Sequence, residues 1–296
     1  MISSLALLLA ILIPLAFATA SVLAYVWWIK RDKRRSPLRG KLHHSAGEQL
    51  RTRIQEHGDE MLGAWMLMFL SGPICMLAWA LQFVRWSRVG FGIREIVFLC
   101  CAVALFAYGL RRFIHHARLR RHAREGLAAE RMTAQELNRL AGDGCQVLHD
   151  VPGDKFNLDH VVVSPRGVIM IETKSFKKPP KRKDDRHFKV QYDGKGLLFP
   201  GWATTEPITQ ARHQARWLAR YLQTAIDREI PVVPAVALPG WWIDRVKGSA
   251  ESDVRVFTPA GRGAQFMLDS RFGTHIDEPT RALVVQALVM RYPAIE

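Results

Sequence analysis

The sequence predicts an α/β domain with a mixed central sheet flanked by helices, behind an N-terminal α-helical transmembrane region. Three observations predict this class. A long uncharged run opens the chain, two runs rich in Val and Ile flank a Ser-Pro-Arg-Gly turn at 164–167, and strand-like segments alternate with helix-like ones from residue 126 onward. Such alternation is typical of layered α/β folds.

The composition restricts the class of partner. At 296 residues the chain has room for about two domains, and its hydrophobic content of 49% is high for a wholly soluble protein. Lys and Arg number 42 against 27 acidic residues, a net charge of +15, which predicts an anionic partner: phospholipid, nucleic acid or both. The four cysteines show no Cys-x-x-Cys spacing, which argues against a zinc ribbon or a disulfide framework.

The first uncharged run predicts a transmembrane anchor at 1–29. Residues 3–29 carry no charge and are followed at once by the basic stretch 30–35, so the run is long enough to cross a bilayer and then stop. A cleaved signal peptide is the alternative. It is disfavoured because the run lacks a basic start and is too long.

Two further apolar runs predict a transmembrane hairpin at 61–110, preceded by a basic cytoplasmic loop at 30–60 that includes a short amphipathic helix. The first run carries Gly72-Pro73, where we expect a kink. The second run, 96–110, reaches membrane length only if it is extended back over 89–95, which adds two charged residues. A re-entrant hairpin over 61–110 is the alternative.

The basic flanks predict the orientation. The positive-inside rule places the N-terminus outside and the C-terminal domain in the cytoplasm, in a bacterial inner membrane. Residues 111–125 predict a basic juxtamembrane helix, attracted to anionic headgroups by about 1 kcal/mol per cation. Contact of this helix with nucleic acid is the alternative.

The Ser-Pro-Arg-Gly turn predicts a hairpin whose second strand ends in Glu172-Thr173-Lys174. Side chains alternate along a strand, so Glu172 and Lys174 share one face, and the hairpin brings Asp159 beside them. Charges that converge at the end of an apolar strand need a compensating partner. A divalent cation between the two carboxylates would supply it.

An Asp followed about a dozen residues later by Glu-x-Lys resembles the active-site signature of the PD-(D/E)xK nuclease superfamily. More narrowly, residues 126–259 resemble the NERD family, the nuclease-related domain. The segments that carry this resemblance are 126–130, 147–151, 158–163, 167–168 and 171–174. The resemblance implies a restriction-endonuclease-like core within a domain at 126–296.

The predicted chemistry is metal-dependent hydrolysis of phosphodiester bonds. Asp159 and Glu172, with the carbonyl of Thr173, would hold Mg²⁺ or Mn²⁺ through oxygen ligands, and Lys174 would orient or activate the attacking water. Glu130 lies on the apolar face of a predicted helix starting at 126, so it either reaches the helix edge or completes the acidic site. The NERD resemblance makes Glu130 a third acidic candidate.

Substrate contacts are predicted on both sides of the site. A basic loop follows Lys174, and its cations would neutralise a polyanionic substrate, a solvated surface being the alternative. Gln210, on a predicted helix at 207–226, resembles a NERD position that would touch substrate or the catalytic lysine; an exposed helix Gln is the alternative. The loop cations are Lys177, Lys178, Lys181, Arg182 and Lys183.

Other elements complete the predicted core. His149, Asp150 and His160 are interpreted as structural groups at strand ends and excluded from the catalytic set. We further expect a first strand, a hairpin around Asp193-Gly194, two later strands and a closing helix. Their predicted ranges are 145–151, 188–199, 231–243, 254–259 and 280–291.

The sequence thus predicts a membrane-anchored, metal-dependent nuclease acting on nucleic acid, with DNA preferred over RNA. The alternative is a catalytically silent, membrane-tethered module that binds nucleic acid or acts as an adaptor. Tethering restricts access to DNA, whereas the intact Asp, Glu and Lys argue for turnover. No sequence feature specifies an oligomeric state.

Overall fold

The computed structural model describes residues 27, 48–81, 92–179, 188–246, 248–269 and 275–292. These residues fall into two compact units, one within 1–41 and 58–117 and the other within 42–57 and 118–296. The anchor predicted at 1–29 lies outside the described residues, apart from Trp27.

Two long helices come first, α1 at Glu48–Leu81 and α2 at Ile93–Asn138. Pro73 lies inside α1 without ending it. Within the first unit, Arg112 pairs with Glu60, and a Cβ on Gly109 would stand 2.7 Å from Met68 Cγ. Glycine at 109 therefore allows the two helices to approach closely.

The helices of this region extend further than the predicted segments. Residues 48–60, predicted as part of a loop with a short amphipathic helix, are helical in α1, and residues 30–47 lie outside the described part. The segments 96–110 and 111–125 and the first domain helix from 126 form one continuous helix, α2. Ala, Leu, Arg and Glu dominate this stretch, and all of them favour helix, so no local signal ends it at 125.

Among the described residues, no helix combines the length and the apolarity that a bilayer crossing requires. The transmembrane hairpin predicted at 61–110 thus has no support from the described helices.

The main sheet of the second unit has five strands and is mixed. Its strand order is β1-β2-β3-β7-β9, with β1, β2 and β3 antiparallel and both β3–β7 and β7–β9 parallel. The predicted hairpin is β2 and β3, joined at Pro165-Arg166. These strands are β1 (Gln146–Pro152), β2 (Asn157–Ser164), β3 (Gly167–Thr173), β7 (Val232–Ala237) and β9 (Arg255–Phe257).

A second sheet has four strands in the order β6-β5-β4-β8. The predicted hairpin around Asp193-Gly194 is β4 and β5. The single strand predicted at 231–243 is wrong, because Leu238 to Gly240 turn the chain, with Gly240 at φ 80°, and divide it between β7 and β8 in different sheets. These strands are β4 (Lys189–Tyr192), β5 (Leu197–Phe199), β6 (Trp202–Thr204) and β8 (Trp242–Arg245).

Helices cover both faces of the main sheet. Helix α3 (Glu206–Ile226) begins with Pro207 in its first turn and, with α4 (Glu278–Val289), packs on the face that carries Val161 and Met170. The end of α2 packs on the opposite face through Leu137. The predicted class, a mixed sheet flanked by helices, is confirmed for this unit. All five predicted core residues of α3 are buried: Ile208, Ala211, Ala215, Leu218 and Leu222.

We expect Gly194→Ala to destabilise the second sheet. Gly194 has φ 90°, and a Cβ there would stand 2.5 Å from the carbonyl oxygen of Gly248. Alanine at a positive φ costs more than about 1 kcal/mol, before the clash is counted. Gly142→Ala is the matched control, because nothing lies within 4 Å of its added Cβ. Thermal denaturation should show a lower midpoint for the first variant only; equal midpoints would contradict the assignment.

Candidate active site

The end of β3 holds Asp159 in a fixed position. Strand β3 is buried along its whole length, and His160 of β2 pairs with Ile171 of β3, which brings Asp159 beside Glu172. Asp159 Oδ2 accepts a hydrogen bond of 2.7 Å from the backbone N–H of Thr173. The predicted convergence of Asp159 with the Glu-x-Lys segment is therefore seen in the structure.

Three side chains form a closed network on the face covered by α3. Lys174 Nζ lies 2.9 Å from Glu172 Oε1, and Gln210 Nε2 donates to the same oxygen at 2.8 Å. Lys174 Nζ also donates to Gln210 Oε1 at 2.8 Å. Each of the three thus contacts the other two. Of the two interpretations of Gln210, the structure shows contact with the lysine.

The second oxygen of Glu172 is buried, and no hydrogen-bond partner for Oε2 is found among the described residues. A buried carboxylate oxygen without a partner is costly, so this atom fits a site for a cation. Mg²⁺ is commonly bound through one or two carboxylates with water completing its shell. Glu172 and Asp159 suit that requirement.

Glu130 lies on α2, half-buried, and its charge interacts with those of Asp150, Glu172 and Lys174. Burial, followed by the charges of Asp150 and Glu172, raises the pKa of Glu130 to about 7. In the described part of the chain, however, no three His, Cys, Asp or Glu residues are grouped so that they could hold a metal ion. Direct metal ligation by Glu130 stays a prediction, as does that by the carbonyl of Thr173.

The protonation of the central groups follows from their surroundings. Burial raises the pKa of Asp159 well above its ordinary value, and the charges of Glu172 and Glu130 raise it further, against the hydrogen bond from Thr173. Burial lowers the pKa of Lys174, but the charge and hydrogen bond of Glu172 outweigh it, and the net shift is upward. Lys174 is therefore a cation, suited to stabilise negative charge.

Asp150 is an acidic residue that the sequence interpretation excluded from the site. It has φ 52°, and the pairing of β1 with β2 is interrupted at this residue. Its Oδ1 accepts a hydrogen bond of 2.7 Å from Asn157 Nδ2, and its charge contributes to the raised pKa of Glu130. Non-glycine residues in this conformation are often found at functional sites. The only signal in the sequence is a charge near the end of the predicted strand 145–151.

The two histidines excluded with Asp150 form a pair. Their Nδ1 atoms are 2.9 Å apart, and His149 Nε2 lies 3.1 Å from Asn138 Oδ1. Burial lowers the pKa of each ring, and for His160 the neighbouring His149 adds to the effect. Both rings are therefore neutral near pH 7 and are hydrogen-bonded to each other, whereas the buried Nε2 of His160 has no hydrogen-bond partner among the described residues.

Two cations of the basic loop are described, and both are exposed. Lys177 Nζ lies 3.2 Å from Glu125 Oε1 of α2, and Lys178 Nζ lies 5.8 Å from the centre of the Trp241 ring. The remaining predicted contacts, Lys181, Arg182 and Lys183, lie outside the described residues.

The domain thus combines an Asp on one strand and a Glu-x-Lys at the end of its neighbour in a mixed sheet flanked by helices. Residues 125–239 match the family model NERD, "Nuclease-related domain". This match confirms the predicted resemblance and covers every described member of the site. No curated protein and no solved structure matches the chain.

We expect the contribution of Glu130 to the stability of this domain to decrease as pH rises from about 4.5 to about 7. The unfolded chain ionises Glu130 near 4.5, whereas the folded chain retains its proton up to about 7, so folding binds a proton within that window. Glu130→Gln removes this proton uptake on folding. In metal-free buffer with EDTA, the variant should exceed wild type in stability at pH 8, and the difference should shrink as pH falls toward 4.5.

The control for this pH dependence is Glu229→Gln, an exposed acid between α3 and β7. Melting curves recorded across the pH range measure the effect. A stability difference between Glu130→Gln and wild type that does not change with pH would contradict it.

Proposed function

We propose that this protein is a metal-dependent nuclease that hydrolyses phosphodiester bonds of nucleic acid, DNA in particular. The observation that carries the proposal is the convergence of Asp159, Glu172 and Lys174 at one strand end, with an unpartnered buried oxygen on Glu172. The match of residues 125–239 to the nuclease-related domain supports the same chemistry.

In this proposal Asp159 and Glu172, with the carbonyl oxygen of Thr173, hold Mg²⁺ or Mn²⁺. All three offer oxygen ligands, which both ions prefer. When bound, such an ion polarises a phosphoryl oxygen and stabilises the charge on the leaving oxygen. The hydrogen bond from the Thr173 amide keeps Asp159 oriented beside Glu172.

The other side chains of the site position charge and protons. Lys174, a cation held by Glu172 and Gln210, stabilises the negative charge that develops on the phosphoryl group and orients the attacking water. Gln210 fixes the lysine through its two hydrogen bonds. Glu130, with its pKa at about 7, is suited to take up or release a proton near neutral pH.

Substrate binding in this proposal depends on the basic surface beside the site. Lys177 and Lys178 lie three and four residues beyond Lys174 and are exposed, and the chain as a whole carries a net charge of +15. Neutralisation of phosphates by such cations gives affinity that falls steeply with salt. Lys181, Arg182 and Lys183, which lie outside the described residues, supply further cations in the proposal.

We expect Asp159→Asn and Lys174→Ala to abolish or strongly slow cleavage for different reasons. Asn keeps an acceptor for the Thr173 amide but loses the ligand charge, so Mg²⁺ binding should be lost in calorimetry. Lys174→Ala should bind Mg²⁺ at least as tightly as wild type, while cleavage falls by roughly 10²-fold or more. The assay follows labelled DNA and RNA with Mg²⁺, Mn²⁺ or EDTA, using the full-length chain.

The matched controls are Glu229→Gln and Lys195→Ala, an acid and a lysine that are both exposed outside the site. Both should cleave as wild type does. Full cleavage by Lys174→Ala would overturn the assigned roles. Salt-sensitive binding with no cleavage by wild type would instead favour the silent, tethered binding module.

We also propose that residues 3–29 anchor the protein in a membrane, with the nuclease-like domain in the cytoplasm and the basic stretch 111–125 near anionic headgroups. The uncharged run and the basic residues at 30–35 support this. Arg at the centre of a spanning helix costs about 2.5 to 3.5 kcal/mol. We therefore expect Leu12→Arg with Leu15→Arg to release the chain from sedimented, alkali-washed membranes.

The control for membrane release is Leu12→Ala with Leu15→Ala, which should sediment with membranes as wild type does. Retention of the Arg variant in the membrane fraction would contradict anchoring by this run. Recovery of wild type in the supernatant would contradict anchoring of the chain as a whole.

A further inference from the structure

Four aromatic rings contact one another in the domain that holds the candidate site, and we call them the aromatic platform: Phe176, Phe199, Trp202 and Trp241. Phe199 and Trp202 are stacked, with centroids 4.3 Å apart and planes at 8°. The edge contacts of Phe176 place its centroid 4.9 Å from Phe199 and 5.0 Å from Trp202. Trp241 stands 4.8 Å from Phe199. The four rings form one contiguous group.

The platform has two buried rings and one ring that is partly exposed to solvent. Phe199 and Trp241 are each only 2% exposed and belong to the core, and Trp241 Nε1 donates a hydrogen bond of 3.1 Å to the carbonyl oxygen of Phe176. Trp202 is 41% exposed although it stacks on the buried Phe199. Core packing explains the two inner rings, but it does not explain why a large apolar ring is held flat at the surface.

The platform also lies next to positive charge. Lys178 Nζ is 5.8 Å from the centre of the Trp241 ring, and Lys177 precedes it in the chain. Exposed aromatic rings beside cations are the combination that binds single-stranded nucleic acid, in which bases stack on the rings and phosphates meet the cations. In a duplex the faces of internal bases are covered by their neighbours. The platform therefore fits unpaired bases.

The position of the platform connects it to catalysis. Phe176 is two residues beyond Lys174, so their Cα atoms are at most about 7 Å apart. A base stacked on the platform would place the adjoining backbone of its strand close to Asp159, Glu172 and Lys174. Stacking would thus hold the strand that is to be cut.

We propose that the aromatic platform, through Trp202, stacks an unpaired base of a DNA strand and directs the site to DNA with a single-stranded segment. This inference rests on the proposed nuclease function, whose substrate class it specifies. The binding step itself needs no metal and no turnover, so it can be measured separately from cleavage.

The test measures binding of the full-length chain to labelled single-stranded DNA and to blunt duplex DNA in EDTA. Trp202→Ala should lose about tenfold in affinity for the single strand, the loss expected for one stacked base. Its affinity for the duplex should stay unchanged. Trp202→Phe should restore most of the single-strand affinity, because it retains an aromatic face.

Trp242→Ala is the matched control. Trp242 is 63% exposed, more than Trp202, and it lies on β8 at the opposite edge of the same sheet. Its loss should leave single-strand affinity at the wild-type level. Equal single-strand affinity for Trp202→Ala and wild type, or an equal loss on both DNAs, would overturn the platform.

Cleavage in Mg²⁺ separates this inference from the proposed function. Cleavage by wild type, with single-strand affinity that does not depend on Trp202, overturns the platform and leaves the nuclease intact. Binding that depends on Trp202, without cleavage of either DNA, supports the platform as a binding site and overturns the nuclease.

Discussion

The burial of charge at the end of β3 is the constraint on which the arrangement of the domain depends. Glu172 is 4% exposed at the end of a wholly buried strand, where an ionised carboxylate is costly without partners. Lys174 and Gln210 satisfy Oε1, which requires α3 to pack over that strand end. The sheet, the helix and the site are therefore determined together.

Much of this arrangement could be predicted from local sequence. The Ser-Pro-Arg-Gly turn fixed the β2–β3 hairpin, and alternation along β3 placed Glu172 and Lys174 on one face, as the structure shows. The periodicity of α3 predicted its buried face for the same reason: both patterns depend on neighbours close in the chain. The contact of Gln210 with Lys174 needed the family resemblance to be considered at all.

The remaining features depend on contacts distant in sequence. The division of 231–243 between two sheets follows from where each strand finds a partner, and the charge interaction of Asp150 with Glu130 joins two residues that are 20 positions apart. The continuity of α2 past residue 125 was missed because composition changes there while helix propensity does not. A change in charge along the chain indicates a change in the environment of the residues, but it does not end a helix such as α2.

Helix α2 contacts the surroundings of the site at two points. Glu125, which contacts Lys177, and Glu130, beside the charges of the site, are five residues apart on one rigid helix, about 7.5 Å along its axis. A displacement of this segment along its axis would withdraw the acid and release the lysine in a single movement.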